Sequence, residues 1–170
     1  MTMETGLVVF FSLCLMIYCG YKLITEIIKD FSASKLRLES SYPKLIKEII
    51  YYCGPTLKQQ KIKYYPNHEI SYYESKKKLG CYFSGQKKIV IYVKSHYGSE
   101  TEKIKDIIHT TLHEVRHYQQ HMTNSDFKNY DIYSKKLTYQ KNPFEIDSNA
   151  WADQEMDNCI KYLKHKGILS

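Results

Sequence analysis

Five consecutive residues, His113-Glu114-Val115-Arg116-His117, have the types and spacing to hold a catalytic metal. On a helix, positions i and i+4 lie on one face, one turn apart. The two imidazoles can therefore reach one Zn²⁺ at roughly 2.0–2.1 Å. Glu114 stands beside the first histidine, where its carboxylate can meet a metal-bound water without ligating the ion. A Lewis acid, an acidified water and a general base thus fit within five residues.

A catalytic zinc takes three protein ligands and keeps one position open. His121 lies two turns beyond His113, about 12 Å along the axis, too far to share the ion. A carboxylate from elsewhere is needed, and the segment Asn142-Pro-Phe-Glu-Ile-Asp-Ser-Asn149 offers two. Glu145 is the expected third ligand and Asp147 its rival. Two residues apart on a helix, they differ by about 200° in direction, so both cannot face the ion. Glu145 has a competing use as capping-box partner of Asn142. Asn149 falls one turn after Glu145, where it can hydrogen-bond a ligand histidine. Without a metal, His109, His113, His117 and His121 are an i+4 row on an ordinary surface helix.

The elements that must position these residues are legible from pattern. A helix follows Tyr42-Pro43, with Leu45, Ile46, Ile49 and Ile50 at helical spacing, and stops at Cys53-Gly54-Pro55. Residues 62–94 read as strands. Leu79–Phe83 and Ile89–Val93 flank Ser84-Gly85-Gln86 as a hairpin. A second helix runs from about Glu100 to Met122, with Ile104, Ile108, Leu112, Val115 and Met122 as its apolar stripe. After a polar, tyrosine-rich connection over 123–141, a third helix opens at Asn142-Pro143 and ends before Gly167.

The 170 residues carry 25 basic and 18 acidic side chains, a net +7. Only Arg37 and Arg116 are arginines; the lysines are spread along the chain, so no specific nucleic-acid partner is expected. Cys53, Cys81 and Cys159 have no CxxC spacing and form neither a disulfide framework nor a cysteine zinc site. From Thr5 to Tyr21 there is no charge. A helix over residues 5–24 is about 30 Å long, which matches a bilayer core. A signal peptide wants a basic start and a small-x-small cleavage site, and both are missing. Lys22, Lys29, Lys35 and Arg37 follow the stretch and place the remaining chain on the cytosolic side. The expected organisation is an anchor over 1–24, a juxtamembrane linker over 25–41 and a domain over 42–170.

His113 to His117, followed by a helix carrying Glu145, resembles the gluzincin branch of the zincin metallopeptidases in its minimal form. The resemblance spans roughly residues 78–160. With the transmembrane helix expected from residues 5–24, the expected fold class is α+β: the anchor, then a small zincin-like domain with a short antiparallel sheet, an active-site helix and a C-terminal helix bearing the third ligand, as the resemblance implies. It implies one zinc ion on His113, His117 and Glu145, with Glu114 as the base that activates water against a peptide bond. A peptide or protein substrate is then expected to lie extended along the edge of the 79–93 hairpin. Tyr130, Tyr133 and Tyr139 in the connection are available as hydroxyl donors, and nothing in the sequence ranks them.

Two other functions share these residues. A non-catalytic zinc domain would need a fourth ligand from His109, His121 or Asp147. A membrane-tethered basic adaptor would use the runs Lys76-Lys77-Lys78 and Lys87-Lys88, with the histidine motif incidental.

Overall fold

Ser99 starts the longest helix among the described residues. Its hydroxyl accepts the Glu102 N–H at 3.4 Å, and the Glu102 carboxylate takes the Ser99 N–H at 2.8 Å in return. That reciprocal cap satisfies two amide donors the first turn leaves open. The computed structural model describes Lys22, Thr25, residues 41–76 and residues 78–169. Its helices are α1 (41–52), α2 (Gly54–Gln59), α3 (Glu100–Thr123), α4 (Tyr130–Lys136) and α5 (Pro143–His165), with strands β1 (Asn67–Ser71), β2 (Gly80–Phe83) and β3 (Lys88–Tyr92). Short 3₁₀ turns over Ser125–Asn129 and Tyr139–Lys141 flank α4 in the connection between α3 and α5.

The core grows from α3. Ile107, Ile108, Leu112, Val115 and Tyr118 are all at most 1% exposed. Met122, expected at the end of that stripe, is 39% exposed, because the helix runs past the core there. Against α3 lies α5, which buries Glu145, Ser148, Ala152, Cys159 and Leu163 on one face at helical spacing. Asn142 caps α5 by accepting the Phe144 N–H at 3.1 Å, and Pro143 supplies a first-turn residue with no amide to satisfy. Gly167, at φ +64°, ends the helix in the left-handed conformation. The apolar face of α1 is buried through Leu45, Ile46, Ile49 and Ile50. The helix breaks at Cys53, as the Gly54-Pro55 pair requires, but resumes at once as α2 with the proline in its first turn.

The sheet departs from the expected antiparallel one. The hairpin is present, with β2 antiparallel to β3 and Cys81 opposite Val90. However, β1 joins the other side of β3 in parallel, giving the order β1-β3-β2. The hairpin turn is local and leaves a signature; a parallel pairing is made across a long connection and leaves none. As the central strand, β3 buries Ile89, Val90 and Ile91, so both its faces are covered.

The N-terminal expectation needs correction. No helix among the described residues is long and apolar enough to cross a membrane. The stretch read as an anchor, residues 5–24, lies outside the described residues apart from Lys22, and so does most of the expected linker. The single-pass placement, with the domain on the cytosolic side, is therefore unsupported. The long helices α3 and α5 have the length to span a bilayer, but both carry charges over one face and bury the other in protein. By contacts, the chain divides between Ser41 and Tyr42, and the unit from Tyr42 onward holds every element named above except the first residue of α1.

Candidate metal centre

One turn apart on α3, His113 and His117 hold their rings 4.6 Å apart and nearly perpendicular, at 85°. Glu145, in the first turn of α5, brings one oxygen to both. Its Oε2 lies 3.1 Å from His113 Nε2 and 3.4 Å from His117 Nε2. In a tetrahedral zinc site with bonds of about 2.0–2.1 Å, neighbouring donor atoms are about 3.3–3.4 Å apart. All three side chains are buried. Glu145 Oε2 has no hydrogen-bond partner, although it lies close to both nitrogens. A buried, unbonded carboxylate oxygen beside two imidazole nitrogens has the donor set and spacing of a divalent-cation site.

The remaining ring nitrogens are held from behind. Asn149 Oδ1 lies 2.9 Å from His113 Nδ1, the role expected of that residue. Gln120 Oε1 lies 2.9 Å from His117 Nδ1, with Ser148 Oγ at 3.2 Å. The Gln120 amide is oriented by its own nitrogen, which donates to Phe144 O at 3.0 Å and Asp147 Oδ2 at 2.7 Å. An amide oxygen only accepts, so each histidine carries its proton on Nδ1 and turns an Nε2 lone pair toward Glu145. The other Glu145 oxygen, Oε1, accepts from the Tyr130 hydroxyl. By donating to that oxygen, the Tyr130 hydroxyl favours the ionised Glu145 carboxylate, against the burial that disfavours it.

Asp147 does not join the group. It accepts from Arg116 Nε at 2.8 Å and from Gln120, on the side of α5 turned from the histidines. Nor is Glu145 spent on a capping box, since Asn142 bonds the Phe144 amide instead. The histidine row splits in the fold. His109 pairs with Asp153 at 3.0 Å and His121 with the Tyr82 hydroxyl at 2.8 Å, and only the middle pair reaches Glu145.

Glu114 points from α3 toward β2. Burial, aided by the Glu145 charge and opposed by His113 and the Tyr82 backbone N–H, raises its carboxyl to about 7. The strand can lie this close because Gly80 has no side chain. A Cβ there would meet Thr110 Cγ2 at 2.7 Å and Glu114 Cγ at 3.0 Å. Above the three metal-binding candidates opens a cleft of about 710 Å³, walled by β2 on one side and by Phe127, Tyr130 and Tyr139 on the other. Sequence reasoning missed Gln120 and Ser148 here and did not single out Tyr130 among three candidate tyrosines. Gln120 stands three after His117 on the same helix face, a spacing that points to it. Tyr130 is one of 17 tyrosines and carries no such mark.

No family model, curated protein or solved structure matches this chain. What stands is the geometry: the buried group of His113, His117 and Glu145 can hold a metal ion.

Proposed function

We propose that this protein is a zinc-dependent metallopeptidase of the minimal gluzincin kind. The observation that carries the reading is the unbonded Oε2 of Glu145 at tetrahedral-edge distance from two Nε2 atoms, with Glu114 beside it at the floor of an open cleft. Bound at these three residues, zinc supplies Lewis acidity toward a carbonyl and acidifies water. The chain's own residues do the rest. Glu114, with a carboxyl near 7, accepts the proton of the attacking water and returns it to the leaving amine nitrogen. Asn149 and Gln120 keep the imidazoles aimed. The edge of β2 offers backbone groups to an extended peptide. The Leu79 carbonyl is taken by Tyr92 N–H at 2.9 Å, so Leu79, Cys81 and Phe83 face β3 while Gly80 and Tyr82 face the cleft.

A purely structural zinc is the weaker reading. Such sites close with four protein ligands, and among the described residues only three group together, beneath an open cleft. Metal content and hydrolysis of a fluorogenic peptide mixture test the proposal together. Wild type binds one zinc and cleaves. Glu114→Gln keeps the zinc and loses at least about 10²-fold in rate, the low end for a general base. Turnover retained by Glu114→Gln, or wild type without stoichiometric metal, refutes it.

A further inference from the structure

The wall of the cleft that would bind a peptide belongs to the most basic part of the chain. Residues 61–94 hold eight lysines against two glutamates, a net +6. The whole of 42–170 has 21 basic and 14 acidic residues, a net +7, so the sheet region carries nearly all of the excess. Along the sequence the lysines look scattered. In the hairpin, Lys76 and Lys78 lead into β2 and Lys87 closes the turn after it, so positive charge stands at both ends of that strand.

Neither Lys78 nor Lys87 is in a salt bridge among the described residues, although the Lys78 charge is felt at Glu114. Lys78 is the one lysine or arginine lining the cleft among the described residues. Its amine lies 3.6 Å from Cys81 Sγ and has no carboxylate at ion-pair distance among those residues. Lys87 sits in the left-handed conformation at φ 48°, on the side of the hairpin where its charge is felt at His121. Lys88, by contrast, is already paired with Glu69 at 2.8 Å. On the opposite wall stands Asp131, which repels an acidic side chain placed there.

Resting on the peptidase reading above, we infer that the β2 groove selects acidic polypeptide segments, with Asp or Glu side chains on either side of the scissile bond meeting Lys78 and Lys87. A four-residue strand spans about 14 Å, so acidic residues about four apart can each reach one end. A single-stranded nucleic acid would also suit lysines, and the exposed Tyr73 and Tyr97 could stack with bases. The polypeptide is favoured because the lysines bracket a strand edge on which Gly80 turns its backbone groups away from β3, as strand addition requires.

The test uses the full chain with Glu114→Gln, loaded with zinc, and three labelled ten-residue peptides that differ only in carrying Glu, Gln or Lys at the two flanking positions. At low salt the Glu peptide binds at least about fivefold tighter than the Gln peptide, and the Lys peptide binds weakest. The advantage disappears near 1 M salt, where the Debye length is about 3 Å. Lys78→Glu and Lys87→Glu, checked for zinc content, each shift the preference toward the Lys peptide. Equal binding of the Glu and Gln peptides at low salt overturns the inference without any variant. So does an unchanged preference in both charge reversals, or displacement of the Glu peptide by oligo-dT but not by polyglutamate. The two readings fail separately. Wild-type cleavage of the Gln peptide as fast as the Glu peptide sinks the acidic preference alone, whereas charge-selective binding without hydrolysis sinks the peptidase.

Discussion

Gln120 and Ser148 share one task, and removing them in turn tests whether the histidines are held by their rear hydrogen bonds. Gln120 is 5% exposed and makes three bonds, with His117 Nδ1, Phe144 O and Asp147 Oδ2. Replacing such an outer partner typically weakens metal binding about 10–100-fold, or about 1.4–2.7 kcal/mol. For Gln120→Ala the loss falls near about tenfold, because Ser148 Oγ already lies 3.2 Å from the same nitrogen. Ser148→Ala alone changes affinity less than threefold, about 0.6 kcal/mol, since the shorter Gln120 bond remains. The double variant loses more than the two single losses combined, because His117 Nδ1 is then buried without an acceptor. Asn149→Ala, on the half-buried side, loses about tenfold, with water able to take its place at His113. Competition with a chromogenic chelator measures each affinity, and thermal melts of the metal-free proteins control for folding. Apo Gln120→Ala also melts lower, by the equivalent of about 1–3 kcal/mol, because the buried bonds to Phe144 O and Asp147 Oδ2 are lost. If all four variants bind zinc within twofold of wild type, the imidazoles are not oriented in this way. If the single losses merely add, Ser148 is not a substitute acceptor.

Glu145→Ala abolishes stoichiometric zinc binding, measured by metal analysis after gel filtration, whereas Asp147→Asn retains it; the reverse pattern would exchange their roles. Gly80→Ala lowers stability by about 1–3 kcal/mol in denaturant titration, because the new methyl meets Thr110 and Glu114; an unchanged midpoint would mean that β2 sits farther from α3. Leu163→Ala, fully buried on α5, destabilises by about 2–5 kcal/mol. Burial raises the Cys159 thiol to about 12 from its ordinary 9.0. Its contribution is therefore complete below about pH 9 and is lost as pH rises toward about 12, so stability falls with a slope approaching about 1.4 kcal/mol per pH unit. Cys159→Ala flattens that part of a melting-temperature profile, and an identical slope in the variant would refute the assignment.

Much of the site was readable because its determinants are local. The i+4 spacing of His113 and His117 dictates a shared face once the helix forms, and Ser99 with Glu102 dictates where it starts. Asn142 and Pro143 similarly mark the start of α5. The turn residues 84–86 announce the hairpin. Periodicity and caps are short-range properties, so they survive in a single sequence. The uncharged N-terminal stretch has a legible composition too, yet no described helix fulfils the reading made from it.

Other features depended on which surfaces meet. Local spacing cannot choose between Glu145 and Asp147, which stand two residues apart; docking α5 against α3 gives Asp147 to Arg116 and turns Glu145 to the histidines. Tyr130 reaches Glu145 only because the connection folds back over the cleft. The parallel β1 pairing is likewise a product of long-range packing. What the sequence by itself determined is a helix able to present two imidazoles and a base, and a second helix offering a carboxylate. The tertiary structure decided which carboxylate, what lies behind each ring, and which edge walls the cleft, because those depend on rotations and distances between elements that no local rule encodes.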